Sequence, residues 1–385
     1  MLAYNKELLE NGLLVTEATR LFHMKFISKE QLNAIVQQLP QLQSNTIFIR
    51  FGFFLLGLFL FSSIAGFLAL FIANLISSNY EVLIYLYAII GLVGSEVFAR
   101  KSFFGHGLDD AFVLSWQGTF CAAIGVSFES TTLVFAVLFV IALFSCIRYV
   151  NTISALLSGI GLVGFFFTLI TNLKVISTMY LPFIGLLLAI SIYAVYHKLN
   201  SNSSYFIYRN ALQLTKIFSL MLGYAAVNYM VVRELSESLM GIVVTKGNDI
   251  PLAFLFYGLT FGIPLAYMYY ALQKKDRTIL IVGLLALGYS FFTIRFYYSL
   301  MPLEIALLLA GVLLFAISFF SIKKLQYKTS GITFQPDRDA NHNLIMNAQA
   351  LIINSQLSTQ PVMDESKMPF GGGGYSGGGA GESFS

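Results

Sequence analysis

Between residues 47 and 322 the sequence passes through about ten long apolar segments in series, and nothing else in it limits the fold so tightly. A helix rises about 1.5 Å per residue, so roughly 18–20 uncharged residues cross a hydrocarbon core about 30 Å thick. One such run can lie inside a soluble domain. Ten in succession leave no soluble core able to bury them, so the chain reads as all-α: a polytopic transmembrane helical bundle. The expected spans are Phe51–Ile76, Val82–Phe98, Ala111–Phe128, Leu133–Ile147 (the shortest), Thr152–Ile170, Met179–Tyr196, Ala211–Val232, Pro251–Leu272, Thr278–Leu300 and Glu304–Ile322. Composition agrees, with 57% hydrophobic and 11% charged residues against about 25% charged in soluble domains.

Charge sets the expected orientation. With a cytosolic N-terminus, the inside segments collect about 16 Lys and Arg and the outside ones about three, the pattern of the positive-inside rule. The excess recurs in every second loop: Arg50, then Arg100 and Lys101, Arg148, Lys198 and Arg209, Lys274 to Arg277, and Lys323 onward. Both termini are therefore expected in the cytosol. The polar start lacks the basic-then-apolar layout of a cleaved signal, so the first span is expected to direct insertion. The net charge of +4 is a topology signal. No basic stripe interleaved with aromatics lies outside the spans, so no nucleic-acid partner is expected. Cys121 and Cys146 fall at depths about 15 Å apart. A disulfide needs Cα atoms within about 7 Å, so no bridge is expected.

The regions flanking the bundle have their own signatures. Residues 1–46 read as a cytosolic helical hairpin. Ser28-Lys29-Glu30-Gln31 is a capping box, and Leu32, Ile35, Val36 and Leu39 follow on one face until Pro40. Upstream, Lys6–Glu10 reads as a short helix ending at Gly12, with another starting at Thr16. The hairpin either packs on itself or the membrane base, or docks a cytosolic protein. Residues 323–358 hold one amphipathic stretch, Asn341–Gln356, and residues 359–385 form a glycine-rich tail unable to bury enough apolar area to offset its backbone entropy. That tail reads as disordered, or as a presented peptide signal through Phe370, Tyr375 and Phe384.

Leu8-Leu9-Glu10-Asn11-Gly12-Leu13, Ile27-Ser28-Lys29-Glu30-Gln31 through Ile35, and Phe103-Phe104-Gly105-His106-Gly107-Leu108-Asp109-Asp110-Ala111 carry a resemblance. The layout is similar to a group of uncharacterised bacterial polytopic membrane proteins, a domain-of-unknown-function family with an N-terminal cytosolic hairpin and a Gly-rich C-terminal tail. The resemblance implies a multi-pass protein of the bacterial inner membrane and brings no activity with it.

Ionisable groups within spans are costly and mark candidate sites. Arg295 lies near the outer end of the ninth span. It either pairs with Glu304 or snorkels, or it contacts a substrate anion. Glu96 has Arg100 at i+4 and reads as a helix ion pair. Lys216 is expected to snorkel to the cytosol. In the loop before the third span, Asp109 or Asp110 is expected to cap that helix; His106 with the two carboxylates could instead hold a metal or move protons. Asn228, Gln117 and Thr260 are buried-type polar groups seeking partners on other helices. Gly258 and Gly262 form a close-approach motif, and Pro264 frees the carbonyl of Thr260 and should kink the eighth span. No catalytic, cofactor or metal motif stands out.

Two functional classes follow. A transporter-like or channel-like bundle for a small solute or lipid predicts a cavity faced by Asn228, Thr260 and Tyr289. A non-catalytic scaffold or sensor, binding a cytosolic protein or another copy of the chain, predicts a dry core of self-paired groups. An embedded enzyme would need paired Asp, His-rich or Ser/Lys groups at one depth.

Overall fold

Helix formation follows the apolar runs because a bilayer offers no hydrogen-bond partners, so each segment must satisfy its backbone internally. The computed structural model describes residues 2–23, 26–42, 44–72, 80–173, 177–240, 249–250 and 252–297, and the helical positions 305, 308, 311, 312, 315, 319, 320 and 323. In chain order the helices are α1 (Lys6–His23), α2 (Lys29–Gln38), α3 (Ile47–Ile72), α4 (Tyr80–Arg100), α5 (Leu108–Phe128) and α6 (Thr131–Tyr149). There follow α7 (Thr152–Leu173), α8 (Leu181–Asn200), α9 (Arg209–Ala225), α10 (Tyr229–Met240), α11 (Ala253–Lys274) and α12 (Arg277–Tyr297).

Eight of these, α3 to α8 with α11 and α12, are long and apolar enough to cross a membrane. The short fourth run becomes α6, a full 19 residues. The seventh run departs from expectation: α9 and α10 are separated by a break and bent by 71°. Glu304 and most of the tenth run lie outside the described residues, as do Asn341–Gln356 and the glycine-rich end.

The chain forms two compact units, one of Met1–Leu13 with Gln41–Ala340 and a second built around Leu14–Pro40. In the second, Val15, Ala18 and Leu21 of α1 close on Ile27 and Ile35. The capping box forms as the spacing requires: the Gln31 amide donates to Ser28 Oγ at 3.2 Å, and the Ser28 amide to Gln31 Oε1 at 2.9 Å. One expectation fails here. Helix α1 runs unbroken through Gly12, because the roughly 1 kcal/mol cost of a helical glycine is small beside that of discarding a helix whose apolar face is packed.

In the larger unit, consecutive helices pair as antiparallel hairpins. Within α6–α7, Gly161 and Gly164 lie against Phe139 and Phe135. A Cβ on Gly161 would come within 2.6 Å of the Phe139 backbone nitrogen. Glycine at 161 thus sets the helix separation. By contrast, nothing lies within 4 Å of a Cβ placed on Gly258 or Gly262. Among the described residues, the motif expected to bring α11 against a neighbour has nothing packed on it, and α11 uses its other face (Phe256, Thr260, Pro264, Ala271) for burial.

Candidate functional site

The first residues of α3, α5 and α7 bring a set of charged and polar groups together. Arg50 enters from α3 and places Nε and Nη2 at 2.7 and 2.6 Å from Asp110 Oδ2 of α5. Asn151, at the α6–α7 turn, donates from Nδ2 to the other carboxylate oxygen at 2.7 Å. Asn151 Oδ1 accepts from the amide and hydroxyl of Ser154, and Ser154 Oγ accepts from Gln117 Nε2 at 2.8 Å. A line of polar groups therefore runs from a half-exposed arginine to a fully buried glutamine.

Asp109 does not cap α5 in the expected way. Its carboxylate accepts from the amides of Gly105 and Gly107 at 2.7 and 2.8 Å, holding the preceding loop. Gly107 has φ +103° and lies so near the Arg50 carbonyl that a Cβ would come within 2.1 Å of that oxygen. Only glycine suits both demands. His106 lies beside Phe103 with the rings tilted and 4.8 Å between centroids, and its buried Nδ1 has no hydrogen-bond partner among the described residues. No group of three or more His, Cys, Asp or Glu able to hold a metal occurs among the described residues.

The start of the chain joins this set. The Ala3 amide donates to the Arg148 carbonyl at 2.9 Å, and Tyr4 donates to the Phe103 carbonyl at 3.0 Å. Burial, and after it the carboxylates of Asp109 and Asp110, push the Tyr4 phenol well above its ordinary range. Glu96 takes a partner that was not expected. Arg148 forks onto it with bonds of 2.5 and 2.8 Å, and Tyr149 donates at 2.6 Å. Arg148 is 52 residues away, whereas the i+4 residue Arg100 is exposed. A bidentate guanidinium plus a phenol outcompetes a single surface pair. Lys216 does not snorkel: it is buried, bonded to Asp276 in the α11–α12 turn and lying over the Tyr196 ring.

The second polar network surrounds the α9–α10 break. Asn228 is fully buried. Its Oδ1 accepts from the Met230 and Val231 amides, capping α10, while the Tyr229 amide donates to Thr260 Oγ1 at 2.9 Å. Asn228 Nδ2 donates to the Tyr224 hydroxyl at 2.8 Å and to Thr293 Oγ1 at 3.2 Å. Tyr224 meets Ser290 Oγ at 2.8 Å. Ser290 in turn donates to the Thr260 carbonyl at 2.6 Å, sharing its hydrogen with the Ala286 carbonyl at 2.9 Å. The Thr260 carbonyl is the one deprived of its helical donor by Pro264. The freed acceptor is thus supplied by α12.

Of the three residues expected to face one cavity, Asn228 and Thr260 come together at this break, while Tyr289 is 39% exposed. Arg295 is half-buried on α12; its expected partner Glu304 lies outside the described residues. Sequence reasoning missed Tyr224, Ser290 and Thr293. Ser290 was within reach of it, because a proline at 264 announces an acceptor at 260 in need of a hydroxyl.

The chain, compared with family models, curated proteins and solved structures, matches none of them. Its long apolar helices make it an integral membrane protein.

Proposed function

We propose that the chain is a transporter-like bundle for a small solute or lipid in a bacterial inner membrane, with both termini cytosolic, and that the α9–α10 break is its moving element. The observation carrying this reading is the 71° bend at a fully buried asparagine. Non-helical backbone is tolerated at membrane depth only where protein or a cavity surrounds it, and interrupted helices commonly build transporter binding sites. Here the interruption lies against Thr260 of α11, whose carbonyl Pro264 deprives of its helical donor, so two neighbouring elements depart from regular backbone bonding at one level. The recurring Lys and Arg excess supports the orientation, and the loop and hairpin motifs support a place beside the bacterial group they resemble.

A scaffold or sensor that binds a cytosolic protein or a second copy is the alternative, favoured by the mutual satisfaction of Asn228, Tyr224, Ser290, Thr260 and Thr293. One experiment separates the two. In a Cys121→Ala, Cys146→Ala background, Val227→Cys places a thiol at the break. A transporter wets this position during its cycle, so a membrane-impermeant thiol reagent labels it in vesicles of one or the other orientation. Protection from both sides in folded protein would remove the transporter reading. Reporter fusions after Gln41 and after Thr329 test the orientation, and both should read cytosolic.

A further inference from the structure

The Arg50–Asp110–Asn151–Ser154–Gln117 line is directional. Asp110, paired with Arg50, can only accept in its charged form, so Asn151 must present its amide NH2 to it. The Asn151 oxygen then faces Ser154, whose backbone amide, an obligate donor, confirms that orientation. With its hydroxyl hydrogen on Asn151, Ser154 Oγ must accept, which turns the Gln117 NH2 toward it. The Gln117 oxygen is left at the far end, fully buried and without a partner among the described residues.

A second unfilled group lies at the same level. Phe139 abuts Gly161 and Phe135 abuts Gly164. This antiparallel register, carried toward the turn at Val150, sets Ser145 of α6 opposite Ala155, one residue from Ser154. Ser145 is 0% exposed and its Oγ has no partner among the described residues. The hydroxyls of Ser95 and Thr168 donate to carbonyls four residues back on their own helices; that of Ser145 does not.

We infer that Gln117 Oε1 and Ser145 Oγ form a binding site between α5, α6 and α7 for one small neutral hydrogen-bond donor, either water or a solute bearing N–H or O–H. The Gln117 oxygen supplies the acceptor, and the Ser145 hydroxyl can give or take a hydrogen. A neutral occupant fits better than a cation. Arg50 already balances Asp110, and a buried charge left without a partner is strongly disfavoured. The site is distinct from the α9–α10 break and holds under either reading of the function.

The sign of one substitution tests it, with purified full-length protein in detergent. If the site is occupied, Ser145→Ala removes a partner of the occupant and lowers Tm by about 2–4 °C. If it is empty, the same change deletes a desolvated orphan hydroxyl; an unchanged or raised Tm would overturn the proposal. Gln117→Leu gives an independent check. Once the occupant is lost, Ser145→Ala should cause no further drop, and additive losses would also overturn it. Formamide identifies the occupant. Given the Tm loss on Ser145→Ala, a Tm rise in the wild type that Ser145→Ala abolishes assigns a solute, and equal effects on both proteins assign water.

Discussion

Ser290→Ala combined with Pro264→Ala tests the logic of the second network. Ser290 Oγ is the donor to the Thr260 carbonyl and stands at 2.8 Å from the Tyr224 hydroxyl. Its removal leaves a buried carbonyl without a donor and a buried phenol without an acceptor. An orphaned polar group costs about 1–3 kcal/mol, whereas side-chain bonds between membrane helices average about 0.6 and reach about 1.7 kcal/mol. A loss of about 2 kcal/mol is expected for Ser290→Ala. Pro264→Ala restores an N–H positioned for the Thr260 carbonyl. In that background the Ser290 loss should shrink to about 1 kcal/mol, since only the phenol remains unsatisfied. The coupling of about 1 kcal/mol, roughly a factor of 5 in the folded-to-unfolded ratio, is readable by reversible unfolding of detergent-solubilised protein titrated with a denaturing surfactant. Losses that simply add, within about 0.3 kcal/mol, would show that Ser290 does not stand in for the missing helical donor.

Other substitutions follow from the same geometry. Arg50→Met should cost about 2–3 kcal/mol and Asp110→Asn less, because the carboxylate is buried while the guanidinium can turn to solvent; thermal denaturation that ranks them the other way round would contradict the pairing described. Gly161→Ala should cost about 1–3 kcal/mol by forcing α6 and α7 apart, whereas Gly258→Ala and Gly262→Ala should stay within about 0.5 kcal/mol, read as Tm shifts. Glu96→Gln should lower Tm by loosening the Arg148 fork, and Arg100→Ala should leave it unchanged; equal losses would restore the local pair.

What the sequence disclosed was local or periodic. Hydrophobic run length located α3 to α8 with α11 and α12, and the Ser28–Gln31 spacing located the start of α2. What it concealed depends on contacts between distant positions. Glu96 has a plausible partner four residues away, yet the fold brings Arg148 to it across 52 residues. Lys216 and Asp276 are 60 apart and lie on elements whose adjacency no local pattern encodes. The break after Ala225 escaped because Ala226-Val227-Asn228 contains neither proline nor glycine. It depends on Thr260 and Thr293, from two other helices, receiving bonds that a straight helix could not make. Gly258 and Gly262 mislead for the complementary reason: the motif specifies that approach is sterically allowed, and the packing of α11 determines which face is used.

The anchoring of Ala3 and Tyr4 bears on biogenesis. Tyr4 leaves the ribosome 99 residues before its acceptor at Phe103, and Arg148, the acceptor for Ala3, comes later still. At about 5–20 residues per second, the interval to Phe103 alone is roughly 5–20 s. During it α3 and α4 are made while the amino-terminal residues wait undocked. The Tyr4 bond can form once Phe103 has been made, whereas the Ala3 bond waits for Arg148 near the end of α6, so full docking of this segment closes the assembly of α3 to α6.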